Sequence, residues 1–373
     1  MRHPQKSDPI ERSPWQASRD AQADDHCQLA APRRRAAAEI HDRLGGPRDT
    51  RHDRRLAQGA PTACYPAAMT ARILDPAALA ASFRAEIRAE IASLPEPLRL
   101  VGFLGEGHAP SATYAEYTRR GCDDVGIAFE LRAVGPDSVE REIRHAASAD
   151  DVHGILVYYP VSTPERDGWL RELVDPRKDI EGLHSFWTRC LYENRRFVDR
   201  ARTHKAILPC TPLAILKLLD AAGASQPGAD RSLAGVRACV FNRSEVVGSP
   251  LAAMMANDGA EVVSFDVDGA QLLVPGEGRW GHDVRPTTRD RRAALAEADV
   301  IVTGVPSRTF PLVRADEIKP GAICLNFSTL KNFADDVTER AAVFVPRVGP
   351  MTVTMALRNT LRLYRNAHGS ATT

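Results

Sequence analysis

The stretch Val236-Arg237-Ala238-Cys239-Val240-Phe241-Asn242-Arg243-Ser244-Glu245-Val246-Val247-Gly248-Ser249-Pro250 decides the fold. Its first six residues are apolar and β-branched enough to read as a buried strand. The polar loop Asn242–Glu245 follows, and the run from Val246 to Asn257 reads as a helix. A strand that enters a tight loop and then a helix turns backbone N–H groups and the positive end of the helix dipole toward one point. An anion such as a pyrophosphate is accommodated there. The loop lacks the G-x-G-x-x-G spacing, so a dinucleotide and a plain strand-to-helix turn both remain open on this segment alone.

The next strand, Glu261 to Phe265, adds a second observation. Asp266 ends it, 18 residues after Gly248 (248 to 266), near the position where a carboxylate accepts hydrogen bonds from an adenosine ribose. A carboxylate there repels a 2′-phosphate, so NAD is expected rather than NADP. Arg243 is the counterweight, because a guanidinium pairs well with a phosphate. The expected cofactor contacts are Asn242, Arg243, Ser244, Val247, Gly248, Asp266 and Gly304.

Outward from this unit the chain alternates strands and helices. Toward the C-terminus, strands are read at Asp299–Thr303, Ala322–Asn326 and Val343–Pro346, and a helix at Thr352–Asn366. The stretch 268–292 has no clear period and reads as a surface insertion. Toward the N-terminus, Leu79, Phe83, Ile87 and Ile91 form one stripe of a helix, and Leu98–Leu104 is a buried strand. A helix over Ser111–Val125, with Ser111 as a cap, precedes strand Ala128–Val134, helix Ser138–Ser148 and strand Gly154–Tyr159. A further helix runs from Pro212 to Ala222. This alternation implies βαβ units and a parallel sheet in an α/β fold. The expected division is a first α/β domain over 69–222 and a Rossmann-like domain over 223–346. The segment 347–373 is expected to return to the first domain, and the cleft to lie between the two.

Residues 1–68 differ from everything after them. They carry Arg33-Arg34-Arg35, many alanines and no apolar period, so they are expected to form a disordered extension, with Met69 as a plausible natural beginning. The acidic residues Asp24, Asp25, Asp42 and Asp53 argue against a transit peptide, and no apolar core of a secretory signal is present.

The chain has 373 residues and a formal charge of +1, from 49 basic and 48 acidic side chains. So even a balance supplies no field for nucleic acid or an anionic membrane. No apolar run approaches the roughly 20 residues of a membrane span. Seven cysteines without C-x-x-C spacing are neither a disulfide framework nor a zinc site. No metal is implied, and a reducing, cytoplasmic setting is expected.

Further stretches carry a resemblance. They are Ser111-Ala112-Thr113-Tyr114 with Thr118, Gly154 to Pro160, Lys178-Asp179-Ile180-Glu181-Gly182-Leu183, Pro209-Cys210-Thr211-Pro212, and Val348-Gly349-Pro350-Met351-Thr352. Together with the Asn242–Pro250 loop, their order and separation resemble the methylenetetrahydrofolate dehydrogenase/cyclohydrolase family from Met69 to the last helix. The resemblance implies a folate-binding first domain, a tetrahydrofolate derivative as substrate and a homodimer.

The departures from the bifunctional members are informative. Those members carry a lysine at the position of Thr118, a glutamine at Tyr158 and an aspartate at Glu181. Their P-G-G-V-G-P turn is here the shorter Pro346-Arg347-Val348-Gly349-Pro350. All four changes resemble the monofunctional NAD-dependent branch. By this resemblance Thr118, Tyr158 and Glu181 stand at the reacting centre, and Tyr114, Cys210, Pro212, Gly349 and Pro350 surround the substrate. The implied reaction moves a hydride from 5,10-methylenetetrahydrofolate to NAD.

Hydride transfer needs orientation more than a base, whereas hydrolysis of the methenyl product needs an activated water. A threonine hydroxyl has no useful pKa for that second task. The product is a cation, so Tyr158 is expected to offer it an aromatic face and Glu181 favourable electrostatics. Lys178 and Asp179 are expected to form a local structural pair, and Cys210 to be a small buried hydrophobe. The competing readings are a bifunctional enzyme, an inactive folate- or NAD-binding regulator, and a shikimate-type dehydrogenase.

Overall fold

The computed structural model describes residues 70–106, 109–277 and 281–369. The expectation of a disordered extension over 1–68 lies outside the described residues. Among the described residues two sheets organise the chain. The smaller has the order β3-β2-β4, with β2 at Arg99–Gly105, β3 at Ala128–Val134 and β4 at Gly154–Tyr158, all parallel. Its helices are α1 (Pro76–Ile91), α2 (Ala109–Val125) and α3 (Val139–Ser148), followed by α4 (Pro164–Arg171), α5 (Ser185–Tyr192) and α6 (Cys210–Ala222). Val101, Phe103, Ile143, Ile155 and Leu170 fill the core between its layers.

The larger sheet is built on β5 (Arg237–Phe241), β6 (Glu261–Asp266), β9 (Val300–Thr303), β10 (Ile323–Asn326) and β11 (Val343–Val345), with helices α7 (Gly248–Asn257) and α8 (Arg291–Glu297). β6 pairs with one side of β5, and β9 with the other, followed outward by β10 and β11. The strand order therefore reverses between β5 and β9. Open α/β sheets bind their ligands outside the carboxyl ends of the strands at such a point. The last helix, α9 (Gly349–His368), packs on α1, α2 and α6, on the side of the smaller sheet.

Three differences from the sequence reading have physical causes. The stretch read as an irregular insertion is an antiparallel hairpin, β7 (Gly269–Pro275) and β8 (His282–Pro286), that extends the large sheet from β6. β8 is exposed along all but its first residue, so no inside–outside alternation marks it. Its entry is the tight turn Asp266-Val267-Asp268-Gly269, which Gly269 permits with a φ of 107°. Arg72–Ile73, at the start of the stretch assigned to the first domain, forms β1 and pairs in parallel with β11 of the large sheet. Ser111 is not a cap: α2 begins at Ala109, and the Ser111 hydroxyl donates to Tyr159 O at 3.3 Å. Gly223, at φ 92°, ends α6 at the expected start of the second domain.

Candidate active site

A cleft of about 1200 Å³ among the described residues draws its walls from both sheets' surroundings. Tyr114, Glu181, Cys210, Gly349 and Pro350 line it from the smaller-sheet side, and Val247 lines it from the loop before α7. The two ends of the expected site thus open into one space.

Behind Tyr114 the site is closed. Thr118 is wholly buried one helical turn along α2, and its hydroxyl donates to Tyr114 O at 3.0 Å. Tyr158, only 3% exposed, meets the Tyr114 ring edge-on with centroids 5.6 Å apart. Tyr158 therefore gives its ring to Tyr114 and does not line the cleft, contrary to the expectation that it faces the developing cation. Burial pushes the Tyr158 phenol well above its ordinary range, and the nearby Thr118 hydroxyl opposes this. Among the described residues no lysine acts on Tyr114 or Tyr158. Arg120 lines the cleft, but its guanidinium is held by Glu116 at 2.9 Å.

The loop carrying Glu181 is shaped by Asp179. This carboxylate is buried and accepts from three backbone amides: Glu181 N at 3.1 Å, Gly182 N at 3.0 Å and His184 N at 2.8 Å. The expected Lys178–Asp179 pair does not form. Lys178 Nζ instead caps the end of α3 through Ala149 O at 2.6 Å and Ala146 O at 3.3 Å. Each residue thus serves the backbone separately. Glu181 itself is raised to about 8 by burial, with repulsion from Asp179 adding to it and Arg171 opposing it. Burial thus favours the protonated form of this carboxyl.

The Cys210 thiol donates to Ile180 O at 3.1 Å, and burial holds it far above the range in which a thiolate forms. Pro212 turns into the core of α6, and Thr211 takes its expected place on the cleft wall.

The cofactor loop is built around Asn242, whose φ of 99° is a left-handed conformation that a side chain rarely adopts. Its amide holds that shape: Nδ2 donates to Gly304 O at 2.7 Å and Oδ1 accepts from Ser244 N at 2.6 Å. Gly248 is required by packing, because a Cβ there would fall 1.6 Å from Asn242 O. Ser244 Oγ accepts from Val247 N and Gly248 N, both at 3.3 Å, so this hydroxyl ties the loop to the start of α7. Asp266 is exposed at the end of β6; its carboxylate accepts Arg243 N at 2.5 Å and Val267 N at 2.7 Å, which orients it toward the loop.

Arg243 does not reach out for a phosphate. Its guanidinium lies along the β6–β7 turn, 3.1 Å from Asp268 and donating to Gly269 O at 2.5 Å and Ser264 O at 3.3 Å. Asp268 was not anticipated as a site residue, because only the hairpin turn brings it to Arg243. An exposed acid and an arginine already paired beside the switch point fit NAD and disfavour NADP.

Residues 74–181 match the family model described as tetrahydrofolate dehydrogenase/cyclohydrolase, catalytic domain. The chain is 41% identical over 278 residues to a methylenetetrahydrofolate dehydrogenase (NAD+) of Saccharomyces cerevisiae, covering 72% of this chain and 86% of that protein. The chain belongs to the tetrahydrofolate dehydrogenase/cyclohydrolase family. A second member of the family with the same NAD+ designation, from Schizosaccharomyces pombe, is 39% identical over 270 residues, covering 71% of this chain and 84% of that protein. The solved structure of the NAD-dependent 5,10-methylenetetrahydrofolate dehydrogenase from Saccharomyces cerevisiae superposes with a TM-score of 0.76 at 36% identity, covering 81% of this chain and 100% of that one. Among the described residues no helix is long and apolar enough to cross a membrane.

Proposed function

We propose that this protein oxidises 5,10-methylenetetrahydrofolate to 5,10-methenyltetrahydrofolate with NAD as the hydride acceptor, and leaves the methenyl product unhydrolysed. The observation that carries the reading is the buried Thr118–Tyr158 pair behind Tyr114. It stands where a hydrolysing enzyme of the family needs an ionisable amine, and neither hydroxyl titrates near neutrality.

The residues divide the work as follows. Tyr114 supports the pterin, and Glu181 engages its polar edge. Gly349 and Pro350 bound the substrate at the start of α9. Asn242, Ser244, Val247 and Gly248 shape the pyrophosphate turn, and Asp266 takes the adenosine ribose. NAD, when bound, supplies the hydride acceptor. As the substrate becomes a cation, ionisation of Glu181 becomes favourable, because a positive charge nearby offsets the burial that raises its pKa. Cys210 takes no part as a nucleophile, since its proton is committed to Ile180 O.

Five cysteines are buried and unpaired among the described residues, which fits a reducing compartment such as the cytoplasm. A homodimer remains the expected assembly from the family resemblance. The test is NADH formation from methylenetetrahydrofolate with each dinucleotide in turn. Turnover with NAD and little with NADP is expected; equal use of both would overturn the cofactor assignment.

A further inference from the structure

We propose that Phe327 is the seat of the nicotinamide ring, a cofactor-positioning residue that fixes the ring at the pterin end of the cleft. The inference rests on the reading of the cleft given above.

The topology supplies the first step. The strand order reverses between β5 and β9, and the residues that follow these strands, Asn242 and Gly304, are joined across the gap at 2.7 Å. With Asp266 at the end of β6 holding the adenosine ribose, the remainder of a dinucleotide crosses this gap toward the ends of β9 and β10. Gly304 stands directly there. A Cβ on Gly304 would fall 1.8 Å from Cζ of Phe327, so the distal edge of the ring occupies the space of a side chain at that position. The glycine serves the phenylalanine.

Phe327 is half-buried and lines the same cleft as Val246, Val247, Tyr114 and Glu181. Its loop is stitched to the segment after β9. Phe327 N donates to Thr303 O at 2.8 Å, and Ser328 Oγ donates to Val305 O at 3.1 Å. Asn332 completes the tie, donating to Val305 O at 3.0 Å and accepting from Val305 N at 2.8 Å. Asn326 closes the turn on itself through Leu330 O at 2.9 Å. An aromatic ring held this firmly, with part of its surface open to the cleft, is a preorganised platform for a flat ligand ring. The oxidised nicotinamide is a cation and the reduced one is neutral, so the platform favours NAD over NADH.

Phe327→Ala, Phe327→Tyr, Gly304→Ala and the double variant Gly304→Ala/Phe327→Ala test this. Titrations with NAD and NADH, KM for each substrate, and thermal unfolding are read for all four. Phe327→Ala is expected to weaken NAD binding about tenfold or more, the scale of base–aromatic stacking. It should weaken NADH less and leave KM for the folate unchanged, while Phe327→Tyr retains binding. Gly304→Ala should displace the ring and lose both stability and NAD binding. In the double variant stability should return to that of Phe327→Ala while NAD binding stays weak. Wild-type or tighter NAD binding by Phe327→Ala, or its return in the double variant, would reduce the ring to packing and overturn the proposal. If the wild-type protein forms no NADH at all, the reading of the cleft falls and this proposal with it. If the wild type is active and Phe327→Ala matches it, this proposal alone falls.

Discussion

The Arg243 guanidinium stands 3.1 Å from the Asp268 carboxylate, so the one arginine of the cofactor loop is already paired before any ligand arrives. Asp268 comes to it through the tight turn between β6 and β7, and the exposed Asp266 stands at the other end of that turn's first strand pair. A 2′-phosphate would meet two carboxylates and a cation with no spare charge.

Removing Asp268 should therefore free Arg243. Asp268→Ala is expected to raise kcat/KM with NADP relative to NAD by up to about fivefold, the worth of one modest ion pair in a partly screened site. Asp266→Asn should lose kcat/KM with NAD. Parallel steady-state assays with the two dinucleotides measure both, and an unchanged preference in Asp268→Ala would contradict the role given to the pair.

Glu181 makes the protein's behaviour pH-dependent in two opposed ways. Its folded-state pKa of about 8 lies above the ordinary carboxylate value of 4.5. The folded state thus holds a proton that the unfolded chain has released, and stability declines as pH rises between these values. Turnover should move the other way, rising through about pH 8 as the carboxylate forms beside a developing cation. Glu181→Gln should remove the step in the pH–rate profile, lower turnover, and raise the unfolding midpoint at pH 8 by about 2 to 4 °C per kcal/mol gained. A pH profile identical to wild type would show that another group titrates.

Thr118→Lys should slow hydride transfer, because an ammonium near the oxidised carbon repels the cation being formed. The site is also wholly buried, and the longer chain must displace Tyr114 or Tyr158, at a cost of about 1 to 3 kcal/mol in stability. Single-turnover NADH formation isolates the chemical step. An unchanged or faster step would contradict the electrostatic account.

Gly248→Ala places a methyl group against the Asn242 carbonyl oxygen, a backbone atom that cannot move without breaking the loop. Loss of NAD binding is expected, with destabilisation of about 2 kcal/mol or more. Retention of wild-type affinity, measured by NADH fluorescence titration, would show that the loop repacks freely.

The parts of this site that follow from local pattern were legible in the sequence. The Asn242–Pro250 loop sits between a buried strand and a helix, and Asp266 ends the next strand, so period and spacing reveal them. Tyr114, Thr118 and Glu181 enter the candidate site through the family motifs. The rest depends on placement. β8 is exposed on both faces and shows no alternation; β1 has only two residues; the partnership of Arg243 with Asp268 exists only once the hairpin forms. Phe327 is a single aromatic in a polar loop, and nothing local marks it until Gly304 is found beneath it. Tyr158 was identified but misdirected, because a strand residue's face is set by what packs on it, here the Tyr114 ring.

The most direct measurement follows NADH and methenyltetrahydrofolate together in one reaction with methylenetetrahydrofolate and NAD. The two products should accumulate in equal amounts, and the methenyl compound should then decay at the rate seen in buffer without protein. Methenyl loss that scales with protein concentration would contradict the assignment of Thr118 and Tyr158 as a pair without hydrolytic function.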